Sequence, residues 1–223
     1  MTGRLYVVAT PIGNLKDITL RALDVLKSSD VILCEDTRRT RKLLSHYDIE
    51  GRLLSFYEGN EGRRLPEVLE MLSEGKTVSL VSDAGTPLIS DPGYRLVRAC
   101  RERGIPVLPV PGPSAVVAAL SVSGIGTDRF AFFGFPPKRE GRRRRWLEEA
   151  ASFGGTVVFY VPPHRVRRFL EEVLEVFGDR EACLCREMTK IHEEYLFGRL
   201  SEIAEAVKER GEMVLVIGKP SQP

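Results

Sequence analysis

Short apolar runs alternate with amphipathic segments through the first half of the chain. The apolar runs are rich in Val, Ile and Leu and predict strands at 5–9, 31–34, 78–81 and 107–110. Apolar residues at helical spacing between them predict helices over 19–27, 37–46, 63–73, 95–103 and 114–120. Unbroken apolar strands separated by helices are typical of a parallel sheet covered on both faces. The first half therefore predicts an α/β domain with a parallel-rich sheet.

The pattern changes after Leu120, where a small, polar and glycine-rich segment interrupts it. Beyond this segment, the sequence predicts strands at 130–133, 155–161, 181–186, 195–197 and 213–217, and helices at 141–151, 164–177 and 201–210. Some of these strands follow one another with no helix between them, so we expect a mixed sheet. The predicted organisation is an N-terminal α/β domain at 1–121, a linker at 122–129 and a C-terminal α/β domain at 130–223, with a cleft between the domains.

The composition is that of an ordinary globular protein. The chain has 223 residues, of which 43% are hydrophobic and 29% charged, enough for one large domain or two small ones. No apolar run reaches the ~18 residues of a membrane span, and the N-terminus lacks the pattern of a signal peptide. The 4 cysteines fit neither a disulfide framework nor a zinc site, and no histidine pair has metal-ligand spacing. We therefore expect a reduced, cytoplasmic protein without a bound metal.

Positive charge is concentrated in the second half, although the net charge of the chain is only +2. Residues 138–145 read Lys-Arg-Glu-Gly-Arg-Arg-Arg-Arg, and a second cluster contains Arg165, Arg167 and Arg168. One such cluster is as well explained by a solvated helix face as by binding. Two clusters in the same half of a nearly neutral protein favour a polyanionic partner.

Three turns that follow predicted strands have unusual composition: Ala9–Asn14, Ser82–Leu88 and Pro111–Ala115. Ligands of open α/β sheets bind at the carboxyl ends of the strands, where these turns lie. The first turn has one glycine where a dinucleotide-binding fingerprint has three, which argues against a dinucleotide but permits a smaller adenosyl ligand. The alternative for each turn is a Pro/Gly loop that only closes the chain.

Acidic and basic residues follow three further strands. Glu35 and Asp36 either favour the dipole of the next helix or activate a substrate hydroxyl, with Arg38 or Arg39 steering a phosphate. The segment 160–165 contains Tyr, Pro, His and Arg. The segment 186–190 contains Arg, Glu, Thr and Lys. A single histidine at a helix start, such as His164, is more often a capping or surface residue than a catalyst, and the alternative for 186–190 is a solvated loop.

Seven motifs in order resemble the small-subunit ribosomal RNA 2′-O-ribose methyltransferase I family, which belongs to the tetrapyrrole-methylase superfamily. Each motif alone is weak, but the ordered set spans most of the chain, from Leu5 to Ile217. The motifs lie at 9–15, 35–38, 82–87, 111–115, 134–135, 163–165 and 186–190.

The resemblance implies a two-domain tetrapyrrole-methylase fold that binds S-adenosylmethionine in the cleft between the domains, and a homodimer. It implies methylation of the ribose 2′-oxygen of a cytidine in the decoding region of 16S ribosomal RNA, either free or in the assembled small subunit. By analogy with the superfamily, the expected cofactor-binding residues are Pro11, Ile12, Asp83, Ala84, Gly85, Thr86, Ile89, Ser114, Ala115, Pro163 and Met188.

Methyl transfer to a ribose hydroxyl needs a base or a cation that lowers the pKa of the hydroxyl. Our candidate catalytic residues are Glu35, Asp36, Glu187 and Lys190. Lys190 would act either as a base or as an electrostatic partner. The candidate RNA-binding residues are Arg38, Arg39, Arg142, Arg143, Arg144, Arg145, Arg165 and Arg168.

Two departures from the family pattern bear on these expectations. Val161 occupies a position where members of the family usually carry Glu, and many members continue for several tens of residues beyond the segment 211–217. If that extension grips RNA, either the arginine clusters must do more of this work here or a partner must help. Two alternatives stay open: a methylase of a small tetrapyrrole-like macrocycle, and a non-catalytic RNA-binding ribosome-assembly factor.

Overall fold

The computed structural model describes residues 3–220 and divides into two compact units. The first unit runs to Ser114, and the second starts at Ala115. Each contains its own five-stranded sheet.

The first unit is a parallel sheet with helices on both faces. Its strands are β1 (Arg4–Val8), β2 (Val31–Cys34), β3 (Leu53–Ser55), β4 (Thr77–Val81) and β5 (Val107–Val110). Its helices are α1 (Leu20–Ser28), α2 (Thr37–His46), α3 (Glu61–Ser73) and α4 (Tyr94–Glu102). The strand order is β3-β2-β4-β1-β5, and every pairing is parallel. All five strands therefore end at the same edge of the sheet.

Two hydrophobic cores hold the helices of the first unit on the sheet. Leu72 of α3 and Leu96 of α4 pack with Leu80 of β4 in one core. On the other side, Leu26 of α1 packs with Ile32 of β2. Burying an aliphatic side chain of this size contributes about 1.5–3 kcal/mol, so these contacts fix the edge from which the turns emerge.

The second unit has a mixed sheet. Its strands are β6 (Phe130–Phe132), β7 (Thr156–Val161), β8 (Glu181–Arg186), β9 (Glu194–Arg199) and β10 (Met213–Ile217), and its helices are α5 (Ala115–Val122), α6 (Glu140–Ala151), α7 (Val166–Phe177) and α8 (Leu200–Ala206). The order is β6-β7-β10-β8-β9, with β6 and β7 parallel and the other neighbours antiparallel. Phe159 of β7 lies at the centre of a core that includes residues of α6, α7 and α8. The predicted fold class, with a parallel first sheet and a mixed second sheet, is confirmed.

Several element boundaries differ from the sequence predictions. Strand β3 was not predicted; α3 begins at Glu61 rather than Arg63, and α8 ends at Ala206 rather than Arg210. Helix α5, which the predicted boundaries place in the N-terminal domain, lies in the second unit and contacts β10. Within residues 3–220, no helix is long and apolar enough to cross a membrane.

Candidate active site

The turns after β1 and β4 are bonded directly to each other. The Thr10 amide donates to the Gly85 carbonyl at 2.9 Å, and the Gly85 amide donates to the Thr10 carbonyl at 3.0 Å. The Thr10 hydroxyl also donates to the Ser82 carbonyl at 3.1 Å, and both side chains are buried. Because buried hydrogen bonds of this kind are costly to leave unmade, they lock the two turns in one arrangement.

The turn after β5 contacts the turn after β4. The Thr86 hydroxyl donates to the Pro113 carbonyl at 3.1 Å. Gly85 has φ +84°, and a Cβ added there would lie 3.4 Å from Cγ2 of Ile12. A side chain at Gly85 would thus be strained by its backbone conformation, and its Cβ would contact the first turn. The structure therefore gathers residues of all three predicted turns (Ile12, Gly85, Thr86 and Pro113) at one edge of the sheet.

The rest of the turn after β4 has an uncommon backbone conformation. Leu88 and Ser90 adopt φ values of +72° and +67°, which are rare for residues with side chains. Gly93 has φ +126°, and a Cβ there would lie 2.6 Å from Cδ2 of Leu80. These positions fold residues 82–93 back on themselves, so that Asp91 interacts with Ser82. Asp91 was missed as a site residue by the sequence analysis.

Three carboxyl groups, those of Glu35, Asp83 and Asp91, form an acidic cluster beyond β2 and β4. Burial and the neighbouring charges of Asp91 and Asp83 raise the pKa of Glu35 to about 7. Burial likewise raises the pKa of Asp91 to about 6. Arg39 offsets part of this negative charge, with Nη1 3.4 Å from Oδ2 of Asp83. Glu35 can therefore gain or lose a proton near neutral pH.

Asp36 serves a different purpose from its neighbour Glu35. Its Oδ1 accepts a hydrogen bond from the Arg38 amide at 2.9 Å, which caps α2. Its two oxygens also accept bonds from the Arg38 guanidinium at 3.1 and 2.9 Å. These bonds lower the pKa of Asp36 to about 2. Asp36 is thus an ionised capping residue with little capacity to accept a proton, and its amide donates to Asp83 at 3.2 Å.

In the second unit, the loop after β8 and the segment before β10 are joined through Glu187, Lys190 and Glu212. Lys190 Nζ lies 3.0 Å from Oε1 of Glu187 and 2.8 Å from Oε2 of Glu212. The Glu212 amide donates to Oε1 of Glu187 at 2.7 Å. The backbone of Glu187 has φ +50°, and that of Thr189 has φ +65°. The side-chain bonds hold this strained loop in place.

The two predicted catalytic residues of this loop are both held in their charged forms. Burial opposes the ammonium of Lys190, but hydrogen bonds to Glu212 and Glu187 outweigh it and raise its pKa. Burial also opposes the Glu187 carboxylate, but bonds from the Glu212 amide and from Lys190 lower its pKa. Of the two roles predicted for Lys190, these shifts favour the electrostatic partner over the base.

The arginines of α6 and α7 differ in whether an internal carboxylate neutralises them. Arg143 is largely buried and binds Glu172 through Nε at 2.5 Å and Nη2 at 2.6 Å. Arg144 pairs with Glu148 at 3.1 Å, and Arg168 pairs with Glu140 at 3.0 Å. Arg142, Arg145 and Arg165 are exposed and make no ion pair within residues 3–220. Among the predicted RNA-binding arginines of the second unit, as far as residues 3–220 show, these three leave their charge available to a ligand.

The remaining predicted cofactor residues lie in varied surroundings. Ala84 and Ile89 are exposed, whereas Pro11 is buried. Ser114 and Ala115 are half-buried on either side of the boundary between the units. In the second unit, Met188 is buried and Pro163 is half-buried in a short 3₁₀ helix, Pro163–Arg165. Their contacts with a cofactor stay predictions.

Comparison with known proteins shows which family the chain belongs to. The chain belongs to the tetrapyrrole (corrin/porphyrin) methylases, whose family model matches residues 4–204. Proteins of this family are S-adenosylmethionine-dependent methyltransferases, and the prediction of that cofactor is confirmed. Within residues 3–220, no group of three or more His, Cys, Asp or Glu side chains is arranged to hold a metal ion.

The curated relatives are more specific. A Thermotoga maritima protein is 49% identical over 96% of this chain and 98% of its own length. A protein of Halalkalibacterium halodurans is 46% identical over 96% of this chain and 75% of its own length. An Escherichia coli O157:H7 protein is 47% identical, with coverages of 96% and 77%. All three are named ribosomal RNA small subunit methyltransferase I, so the predicted resemblance to that family is confirmed.

Solved structures share the fold at lower identity. Uroporphyrin-III C-methyltransferase from Thermus thermophilus, complexed with S-adenosylhomocysteine, aligns with a TM-score of 0.68 at 24% identity over 97% of both chains. A cobalt precorrin-4 methyltransferase aligns with a TM-score of 0.67 at 16% identity, covering 96% of this chain and 94% of its own. These likenesses support the fold of the whole chain.

Proposed function

We propose that this protein is an S-adenosylmethionine-dependent methyltransferase that acts on small-subunit ribosomal RNA. The observation that carries the proposal is the near full-length identity of 46–49% to relatives that bear this name. The finer part of the proposal is that the methyl group goes to the ribose 2′-oxygen of a cytidine in the decoding region. That part rests on the motif resemblance and on the chemistry of the two clusters described above.

The turns of the first unit fit the proposed cofactor in their donor set. The amides of Ala84 and Thr86 donate no hydrogen bond within residues 3–220 and are available to an adenosyl group. Glu35, Asp83 and Asp91 supply negative charge, which suits ribose hydroxyls, an ammonium group and a sulfonium ion. S-adenosylmethionine, when bound, supplies the methyl group at its sulfonium.

The protein must orient the 2′-hydroxyl and remove its proton. Glu35 is the residue best suited to accept that proton, because its pKa of about 7 leaves it partly ionised at neutral pH while keeping its basicity high. Lys190 is suited to stabilise negative charge that develops on the oxygen, because its ammonium stays protonated. Glu187 holds Lys190 in place, and Asp36 caps α2, so neither is proposed to exchange protons.

The test is transfer of labelled methyl groups from S-adenosylmethionine to purified RNA. Small subunits and free 16S RNA, both lacking the modification, are offered in parallel with an uroporphyrinogen-type macrocycle. Label in a 2′-O-methylcytidine nucleoside after digestion supports the proposal. Label on a base, on the macrocycle or on nothing would contradict it. A micromolar dissociation constant for S-adenosylmethionine, measured by calorimetry, would show separately that the protein binds the cofactor.

The unpaired arginines give the RNA part of the proposal its own prediction. Replacing Arg142, Arg145 and Arg165 together by Gln should flatten the slope of log affinity against log salt by about two to three, because each phosphate contact contributes about 0.7–0.9. RNA binding is measured by fluorescence anisotropy at several salt concentrations. Arg144→Gln is the control and should change the slope little, because Glu148 already pairs with Arg144 at 3.1 Å. If Arg144→Gln changed the salt slope as much as a single replacement of Arg142, Arg145 or Arg165 does, this result would count against phosphate contacts at this surface.

We also propose a homodimer, as the family resemblance implies. Tyr195 and Phe197 lie two residues apart on the exposed face of the edge strand β9, and they are 43% and 58% exposed. Val117 and Val122 of α5 are also exposed. Phe197→Glu should therefore shift the sedimentation of the protein from dimer towards monomer. Leu20→Glu, at a position 81% exposed in the first unit, should not. A parent protein that sediments as a monomer would refute the dimer.

A further inference from the structure

A second basic site lies in the second unit, apart from the arginines of α6. A cavity of 350 Å³ is lined by Arg186, His192, Lys208, Glu209 and Arg210. It is large compared with the about 30 Å³ that one water molecule occupies in the liquid. Its walls come from the end of β8, the loop after it and the segment between α8 and β10.

The cavity wall carries an excess of positive charge. Glu194 pairs with Arg186 at 2.7 Å and with Lys208 at 2.5 Å, while Glu209 pairs with Arg167 at 3.0 Å. The lining thus holds three cations (Arg186, Lys208 and Arg210) and one carboxylate (Glu209), and Glu194 and Arg167 are their ion-pair partners behind it. The side chain of Arg210 makes no ion pair or hydrogen bond within residues 3–220. Arg210 is exposed at this wall, so its charge is open to solvent or to an anionic ligand.

Arg186 is the fixed part of this wall. Its side chain is only 7% exposed, and its Nε and Nη1 bond to Glu194 and, at 3.5 Å, to the Arg210 carbonyl. Its Nη2 donates no hydrogen bond within the described part of the chain and is not fully enclosed. A guanidinium held rigidly by a carboxylate is a preorganised donor for a phosphate oxygen.

The cavity adjoins the candidate catalytic loop. Arg186 directly precedes Glu187, so their Cα atoms are about 3.8 Å apart. Arg210 is two residues from Glu212, which binds both Lys190 and Glu187. The same two segments therefore carry the cationic cavity and the charged Lys190. In RNA, the ribose 2′-oxygen lies on the carbon next to the one that bears the 3′ phosphodiester.

We infer that this cavity binds a phosphodiester of the RNA substrate, close to the ribose that is methylated. This inference rests on the proposed function and deepens it. It adds Arg210, whose charge has no partner within residues 3–220, to the RNA-binding residues, with Nη2 of Arg186 as a fixed second donor, at a site that does not involve the clusters of α6 and α7. Its role is to orient the ribose so that the 2′-hydroxyl faces Lys190.

The test compares Arg210→Gln with the parent protein in RNA affinity at several salt concentrations. We expect affinity about tenfold weaker at low salt and a salt slope shallower by about one, because one charge-assisted phosphate contact is lost. Cofactor affinity and melting temperature should be unchanged, since the Arg210 side chain holds nothing else in place. Arg210→Lys should keep the slope.

Arg103→Gln is the matched control, because Arg103 is exposed in the first unit and makes no ion pair within residues 3–220. The inference would be overturned if the parent and Arg210→Gln had equal slopes of log RNA affinity against log salt. It would also be overturned if Arg210→Gln and Arg103→Gln changed the slope equally. A variant that loses affinity for a polycarboxylate porphyrin but not for RNA would overturn it as well. Methylation of RNA by the parent tests the proposed function separately, so the two failures can be told apart.

Discussion

Replacing Glu35 by Gln should lower kcat for RNA methylation by about 10²–10⁴-fold, the usual contribution of a general base. Glutamine keeps the size and polarity of the side chain but cannot take the proton of the 2′-hydroxyl. Cofactor affinity should stay within a few-fold of the parent value, because Asp83, Asp91 and the turn amides remain. Single-turnover kinetics with saturating RNA separate this loss from weaker binding.

The pH dependence of the same variant gives an independent check. A base must be ionised, so kcat of the parent should rise with pH through about 7, where Glu35 titrates. Glu35→Gln should lack this rise of kcat with pH.

The stability of the protein should change with pH in the opposite sense. Folding raises the pKa of Glu35, so its contribution to stability is fully present below its unfolded pKa and is lost as pH rises through about 7. The variant, which cannot ionise, should therefore melt at a higher temperature than the parent at pH 8.

Glu50→Gln is the control for both measurements, since Glu50 is exposed in the same unit. It should change neither kcat nor its pH dependence. A Glu35→Gln enzyme with parental turnover, or a parent whose turnover falls as pH rises through 7, would exclude Glu35 as the base. Asp91→Asn then becomes informative, because removing its charge should lower the pKa of Glu35 and shift the rising limb to lower pH.

The second large effect is expected at Lys190. Lys190→Met should lower kcat by about 10²–10³-fold, as removal of a group that stabilises an oxyanion does in other enzymes. The loss arises because the ammonium proposed to stabilise the developing charge on the 2′-oxygen is removed while the carboxylates of Glu187 and Glu212 remain. The measurement is kcat and cofactor affinity, together with thermal unfolding, because the substitution also breaks two ion pairs.

Lys190→Arg distinguishes electrostatics from proton transfer. Arginine keeps the positive charge but cannot act as a base at neutral pH, so this variant should retain much of the activity. Equal loss in the Arg and Met variants would show that charge alone is not what Lys190 supplies. If Lys190→Met loses stability and activity in parallel, and raising the cofactor concentration restores both, the residue only supports the loop.

The sequence predicted the fold well wherever apolar runs were long enough to define it. Strands β2 and β10 are continuous buried runs, and the structure places them where the pattern predicted. Strand β3 was not predicted because it has only three residues, all half-buried at the sheet edge, which are too few to show a periodic pattern of hydrophobic and polar residues. Helix α3 begins two residues earlier than predicted because it includes Gly62 in its first turn, where tertiary packing overrides low helix propensity.

Site residues were harder to predict than strands. The three turns follow from the parallel order of the strands, since all carboxyl ends lie at one edge. Asp91 could not be predicted, because its approach to Ser82 depends on positive φ values at Leu88 and Ser90, which Leu and Ser rarely adopt. The cavity of Arg186 and Arg210 depends on the pairing of β8 with β10, which joins segments that are well separated in sequence.

The order of strands in both sheets has a consequence for how the chain is made. In the first unit, β1 is synthesised first but lies between β4 and β5, so one of its edges stays unpaired until residue 81 has been added and the other until residue 110. In the second unit, β10 is synthesised last yet joins β7 to β8. Nascent chains that end before Met213 hold only two separate strand pairs there, and two-stranded pieces are marginal in water. Folding of this unit must therefore wait for nearly the whole chain to be translated, during which exposed strand edges are open to aggregation and to chaperones.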